Sequence, residues 1–185
     1  MKKTLLTLIT LLPLITFAQN FKDDPNYVKQ AVNDKGYMLD TVGVSTLTKS
    51  QLFSNALSFL TNNFKDSRSV IESKDLELGE ISFKGNTFKN IQVSDTSKKG
   101  KIANRWETVR LHFKCKIYLK DQKFKIVLNS LQKPFSEMIA SDTLLPIDPY
   151  ANGIFSNSDK AASELALDLI KNIAKYLNTK PENEF

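Results

Sequence analysis

Apolar and polar residues alternate strictly from Val109 to Leu119. Val109, Leu111, Phe113, Cys115, Ile117 and Leu119 are apolar, and Arg110, His112, Lys114, Lys116 and Tyr118 lie between them. Period two held over such a run predicts a strand with one buried and one wet face. Asp121-Gln122 then serves as a two-residue turn into Phe124, Ile126 and Leu128. That turn length sets Leu119 opposite Phe124, Ile117 opposite Ile126 and Cys115 opposite Leu128, all on the apolar face.

The pattern changes to three- and four-residue spacing in two segments. Leu52, Phe53, Ala56, Leu57, Leu60 and Phe64 follow Thr48-Lys49-Ser50-Gln51, a capping box in which threonine and glutamine satisfy orphan helix amides. A second helix is predicted from Ser158, with Ala162, Leu165, Ala166, Leu169, Ile170, Ile173 and Leu177 in one stripe. Asp159 and Glu164 toward its start and Lys171 and Lys175 toward its end match the helix dipole, and Pro181 prevents continuation.

Shorter runs complete the outline. Gly36 to Val44 is a candidate strand, weakened by Gly43. Ser69 to Lys74 and Glu80 to Lys84 are two more, joined by a turn in which Gly79 can take positive φ. Asn86 to Asn104 reads as a polar stretch with a weak strand around Phe88, Ile91 and Val93, and with a loop at Ser94 to Lys101. Residues 19–36 read as a surface arm with Phe21, Tyr27 and Val28 as tethers, 37–178 as a single domain, and 179–185 as a tail. Within the domain, 132–157 reads as a long proline-containing loop over the rim of the core. An antiparallel β-sheet with one apolar face and two helices packed on it is an α+β two-layer sandwich.

Residues 1–18 add an address. Met1-Lys2-Lys3 is basic, Thr4 to Phe17 is largely apolar, and Thr16-Phe17-Ala18 offers small residues at the exit. This is the form of a secretory signal peptide cut after Ala18, which predicts a periplasmic or secreted protein with no transmembrane segment after cleavage. The formal net charge of the 185 residues is +6, and Lys2 and Lys3 of the leader supply part of it. Outside the cytoplasm such a balance points to an envelope protein, a glycan or an anionic surface rather than to nucleic acid. The single cysteine, Cys115, rules out an internal disulfide, and with a single histidine it rules out a Cys-rich zinc site. Its place in an apolar row makes it a small buried hydrophobe.

Several of these residues carry a family resemblance. Leu52-Phe53-Ser54-Asn55-Ala56-Leu57-Ser58-Phe59-Leu60 leads into Phe64-Lys65-Asp66-Ser67 and Val70-Ile71-Glu72-Ser73-Lys74-Asp75. Gly79-Glu80-Ile81, Gly85 and Ile117-Tyr118-Leu119-Lys120-Asp121-Gln122-Lys123-Phe124 follow. Over Val42 to Leu131 this resembles an exported Bacteroidetes family of unknown function, DUF4468, described as having a TBP-like fold. Gln122 departs from the glycine or asparagine that the family more often has in the last hairpin. The resemblance implies a curved antiparallel sheet with helices on one side, and it brings no activity, cofactor or catalytic residue.

Candidate chemistry is sparse. His112 and Cys115 are three apart on one strand and so face opposite ways, which disfavours a Cys–His dyad. Asp75, Glu77 and Glu80 lie in or beside a tight turn, where solvated acids are usual. The chain has no phosphate-loop, dinucleotide, zinc-protease or calcium-loop motif, so no cofactor is expected. The surface with most character is the wet face carrying Arg110, His112, Lys114, Lys116, Tyr118 and Lys125, with Lys123 beside them. It suits an anionic partner, or else its lysines simply discourage edge pairing and pair with Glu72 or Glu80. The leading expectation is a non-enzymatic envelope binding module. The alternative is a carrier of a small apolar ligand in a helix-grip-like cavity lined by Phe113, Phe124, Ile126, Leu169 and Ile173.

Overall fold

The computed structural model describes residues 28–33, 36–96, 102–134, 144–150 and 156–179. The signal peptide and its cut, the arm tethers Phe21 and Tyr27, and the C-terminal tail from residue 180 lie outside the described residues. So do residues 97–101 of the polar loop and 135–143 and 151–155 of the long loop.

The hairpin read from alternation forms as its pattern requires. Strands β5 (Ile102–Lys120) and β6 (Lys123–Pro134) pair Leu119 with Phe124, Ile117 with Ile126 and Cys115 with Leu128. Gln122 takes φ 61° in the turn, which glycine or asparagine adopts more easily. The turn is also a fastening point. Asp121 accepts from the Lys49 amide at 2.7 Å, and the Gln122 amide donates to the Leu47 carbonyl at 2.9 Å. An orphan amide at the start of helix α1 (Lys49–Asn63) is thereby satisfied by a residue far along the chain. The capping box of α1 is present as well, with the Gln51 amide donating to Thr48 Oγ1 and the Thr48 amide to Gln51 Oε1.

Three sequence expectations need correction. Ser69 to Lys74 is not one strand, because a helical turn α2 (Ser67–Val70) precedes strand β3 (Ile71–Asp75). Asp66 accepts from the Ser69 amide, and this local cap outweighs the β preference of the residues that follow. The weak strand expected around Phe88, Ile91 and Val93 forms, but it is longer than read and takes in residues 94–96 of the expected loop. It is part of strand β4 (Glu80–Thr96), which pairs with β5 from Glu80–Tyr118 to Thr96–Ile102 without a shift. A ladder needs backbone groups, not apolar side chains, so polar residues can continue it wherever both faces are wet. Part of the span read as an arm is strand β1 (Val28–Asn33), antiparallel to β2 (Gly36–Val44).

The sheet order is β1-β2-β6-β5-β4-β3, antiparallel throughout, and β7 (Leu144–Pro146) pairs with the far end of β6. The span read as the 132–157 loop therefore contributes sheet at both Gln132–Pro134 and Leu144–Pro146. Helix α3 (Ser156–Leu177) starts two residues before the predicted start at Ser158 and packs with α1 on one face. Asn55 of α1 donates to the Leu177 and Thr179 carbonyls at the end of α3, which ties the two helices together. The core between the layers holds Leu52, Leu60, Phe83, Leu111, Ile117, Ile126, Ala166 and Ile173. Gly43 belongs to this packing, since a Cβ there would lie 2.1 Å from the Phe124 ring that covers it.

Strand β6 changes face at a bulge. Its register against β5 shifts between His112 and Lys114, and Ser130 has φ 50°. Before the bulge Phe124, Ile126 and Leu128 point inward; after it Leu131 and Lys133 do. Lys133 is consequently buried, with Nζ 2.6 Å from Asp159 Oδ2 and 2.8 Å from Ser158 Oγ in the first turns of α3.

Tyr37 gives the fold an alkaline limit. It is 1% exposed and donates to Gln30 at 2.9 Å. Burial first, and the charge of Tyr150 second, push its phenol up to about 12. The unfolded phenol ionises near 10, so between those values the unfolded state alone loses the proton and stability falls as pH rises. The loss reaches roughly 2–3 kcal/mol by about pH 12. Urea titrations of wild type and Tyr37→Phe should show a steeper decline for wild type in that window, and parallel curves would refute this assignment.

Candidate functional site

The helices cover one face of the sheet, and the even-numbered residues of β5 point away from them. Arg110, Lys114 and Lys116 are exposed there, Tyr118 is 37% exposed and His112 half-buried. Lys125 joins them, because it is the cross-strand partner of Tyr118. The six candidates are thus brought to one surface.

The neighbouring strands add residues that alternation within β5 alone did not reveal. In register, Lys84 faces Lys114, Ser82 faces Lys116, Asn86 faces His112 and Phe88 faces Arg110. Farther along, Gln92 faces Trp106, which is 72% exposed. Trp106 keeps the even parity of the row, but Glu107 interrupts the apolar positions and hid the continuation.

Cations predominate on this face. Glu72 approaches Lys84 at 3.8 Å and Lys114 at 3.7 Å through the same oxygen, and Asp40 approaches Lys125 at 3.5 Å. Glu72 thus pairs with lysines as the second reading of this face expected. Glu80 stands opposite Tyr118 instead. These exposed contacts are worth little each, and Lys84 directly opposite Lys114 is a repulsive pair that one carboxylate only partly offsets.

The remaining candidates fall into structural places. Cys115 is fully buried, burial pushes its thiol well up, and His112 lies on the opposite face. Asp75 accepts from the Leu78 amide within its turn, and the Glu77 carbonyl accepts from Lys49. Of the residues expected to line an apolar cavity, Phe124, Ile126 and Ile173 are packed into the core. Phe113, itself part of the core, and Leu169 also line a cleft of about 320 Å³ with Phe59, Phe64 and Leu165 and with the polar Asn63, Asn86, Thr87, Asp168 and Asn172.

A model of the domain of unknown function DUF4468, with TBP-like fold, matches residues 38–133. The chain belongs to the DUF4468 family. Two crystal structures share the fold seen here. A TBP-like protein from Parabacteroides distasonis superposes with TM-score 0.57 at 7% identity, covering 82% of this chain and 98% of its own. A DUF4468 family protein from Bacteroides ovatus gives TM-score 0.55 at 12% identity, covering 86% and 99%. No curated protein matches the chain. The fold class is therefore α+β with a TBP-like antiparallel sheet. Among the described residues no helix is long and apolar enough to cross a membrane.

Proposed function

We propose that this DUF4468 protein is an exported, non-enzymatic binding module that takes an anionic partner on its open sheet face. The observation that supports this reading most directly is the cross-strand pair Lys84–Lys114, flanked by Lys116 and Arg110 on a face that no helix covers among the described residues. Like charges set directly opposite lower stability, and a bound anion would relieve that repulsion. The leader read from residues 1–18 directs the module away from nucleic acid and toward the cell envelope.

The test is binding to immobilised dextran sulfate at increasing salt. The double variant Lys114→Glu with Lys116→Glu should bind at least about tenfold more weakly, a loss of ~1.4 kcal/mol or more. Its salt dependence should also be shallower, since screened cation contacts have been removed. Equal binding by variant and wild type would remove this face from consideration.

The cleft beside Phe113 and Leu169 supports a second reading, a small ligand held between sheet and helices. Its volume of about 320 Å³ would admit a small molecule. The Asn63, Asn86, Thr87, Asp168 and Asn172 in its lining call for one with polar groups beside an apolar body. Native mass spectrometry of protein isolated from the envelope should show a bound mass that Leu169→Trp displaces; a single ligand-free species would end that reading.

A further inference from the structure

Charge does not account for everything on the open face. Phe88 is 65% and Trp106 72% exposed, both on the cationic side of the β4–β5 ribbon. Large aromatic side chains left this open are contact groups more than packing groups. Between them stand Asn90 and Thr108, hydrogen-bonded to each other at 2.8 Å, whose remaining donors and acceptors suit hydroxyl groups. The cations do not converge on a point. At about 3.4 Å per residue the outer row of β5 from Trp106 to Tyr118 extends roughly 40 Å, with aromatic groups at its ends and cations between. A compact anion would use only a fraction of that line.

The protein itself offers one anion that two of the cations share. Lys84 and Lys114 both reach a single carboxylate oxygen of Glu72, at 3.8 and 3.7 Å. Their spacing therefore suits a carboxylate shared between two ammonium groups. Resting on the reading of this face as an anion-binding surface, we propose that its occupant is a linear acidic polysaccharide of uronate type, lying along β5. Its sugar rings stack on Trp106 and Phe88, and its carboxylates lie against Arg110 and the Lys84–Lys114 pair. Glu72 competes with the ligand for that pair.

The experiment measures binding of polygalacturonate, fully methyl-esterified galacturonan, dextran sulfate and vesicles containing phosphatidylglycerol. Wild type is compared with Phe88→Ala/Trp106→Ala and with Glu72→Gln, each checked for unchanged thermal unfolding. Polygalacturonate is expected to bind and its methyl ester to lose most of that affinity. The aromatic double variant should lose about tenfold on polygalacturonate, and Glu72→Gln should bind polygalacturonate at least threefold more tightly. An aromatic variant unchanged on polygalacturonate overturns the polysaccharide proposal. Binding of dextran sulfate but not of polygalacturonate overturns the uronate assignment, binding of vesicles alone overturns the polysaccharide, and each of these results leaves the anionic face standing. Failure of all three polyanionic probes to bind overturns both.

Discussion

Replacing Lys133 by alanine should lower the unfolding free energy by about 3–5 kcal/mol, because it leaves the buried Asp159 carboxylate without its counter-ion. Lys133 is 8% and Asp159 5% exposed, so water cannot take the ammonium's place without opening the rim of the core. Asp159 also accepts from the Asp148 amide at 3.3 Å, so the pair fastens the chain after β7 to the start of α3. A charge taken from water is tolerated only while its partner and hydrogen bonds remain. The midpoint of thermal unfolding should fall by about 10 °C for a domain of this size. The double variant Lys133→Met with Asp159→Leu removes both charges and restores apolar volume, so it should recover most of the loss. Equilibrium urea unfolding of both variants decides the matter. A single variant within 1 kcal/mol of wild type, on the order of a surface change, would show that the pair is not buried in solution.

Gly79→Ala should also be strongly destabilising, at about 3 kcal/mol. Gly79 has φ 68°, and an added Cβ would lie 2.2 Å from the Leu119 carbonyl oxygen and 3.1 Å from Lys49 Cδ. The flexible lysine can move aside, but the backbone oxygen cannot without shifting the β5 ladder. The Leu119 amide already donates to the Gly79 carbonyl at 2.7 Å, so the two backbones are held at this approach. Gln122 is the counterpart, since it bears a side chain at φ 61° in an exposed turn. Gln122→Gly should therefore leave the protein as stable or gain up to about 1 kcal/mol. Opposite signs at the two turns, read from urea midpoints, would confirm that conformation and close approach, not composition, separate them. Similar losses at both would refute it.

The candidate surface was legible in the sequence as far as alternation carried it. Strict period two from Val109 to Leu119 put Arg110, His112, Lys114 and Lys116 on one face, and the turn length brought Lys125 beside Tyr118. Lys84 and Phe88 lie in segments that read as strand, but which strand they pair with, and so that they share this face, is set by the long-range β4–β5 register. Trp106 is hidden by Glu107, which breaks the apolar alternation of β5. Lys133 was invisible for a different reason. A single extra residue at Ser130 reverses the inward parity of β6, and nothing in Asn129-Ser130-Leu131 announces a bulge. The turn α2 was missed because Val70 and Ile71 speak locally for a strand, while the cap at Asp66 speaks more strongly for one turn of helix.

By itself the sequence determined the elements whose pattern is written over neighbouring residues. These are the capped helix from Thr48, the apolar stripe of the last helix, and the β5–β6 hairpin with its register, since side-chain periodicity and turn length act within a few residues. The tertiary structure alone decided which strands lie side by side. The N-terminal pair β1–β2 docks beside β6 and not beside β3, an order that depends on backbone pairing between residues distant in sequence. It also decided that β4 follows β5 through polar residues and that Lys133 meets Asp159. In each case the deciding partner lies on another segment, and no local pattern encodes a contact whose other half is elsewhere.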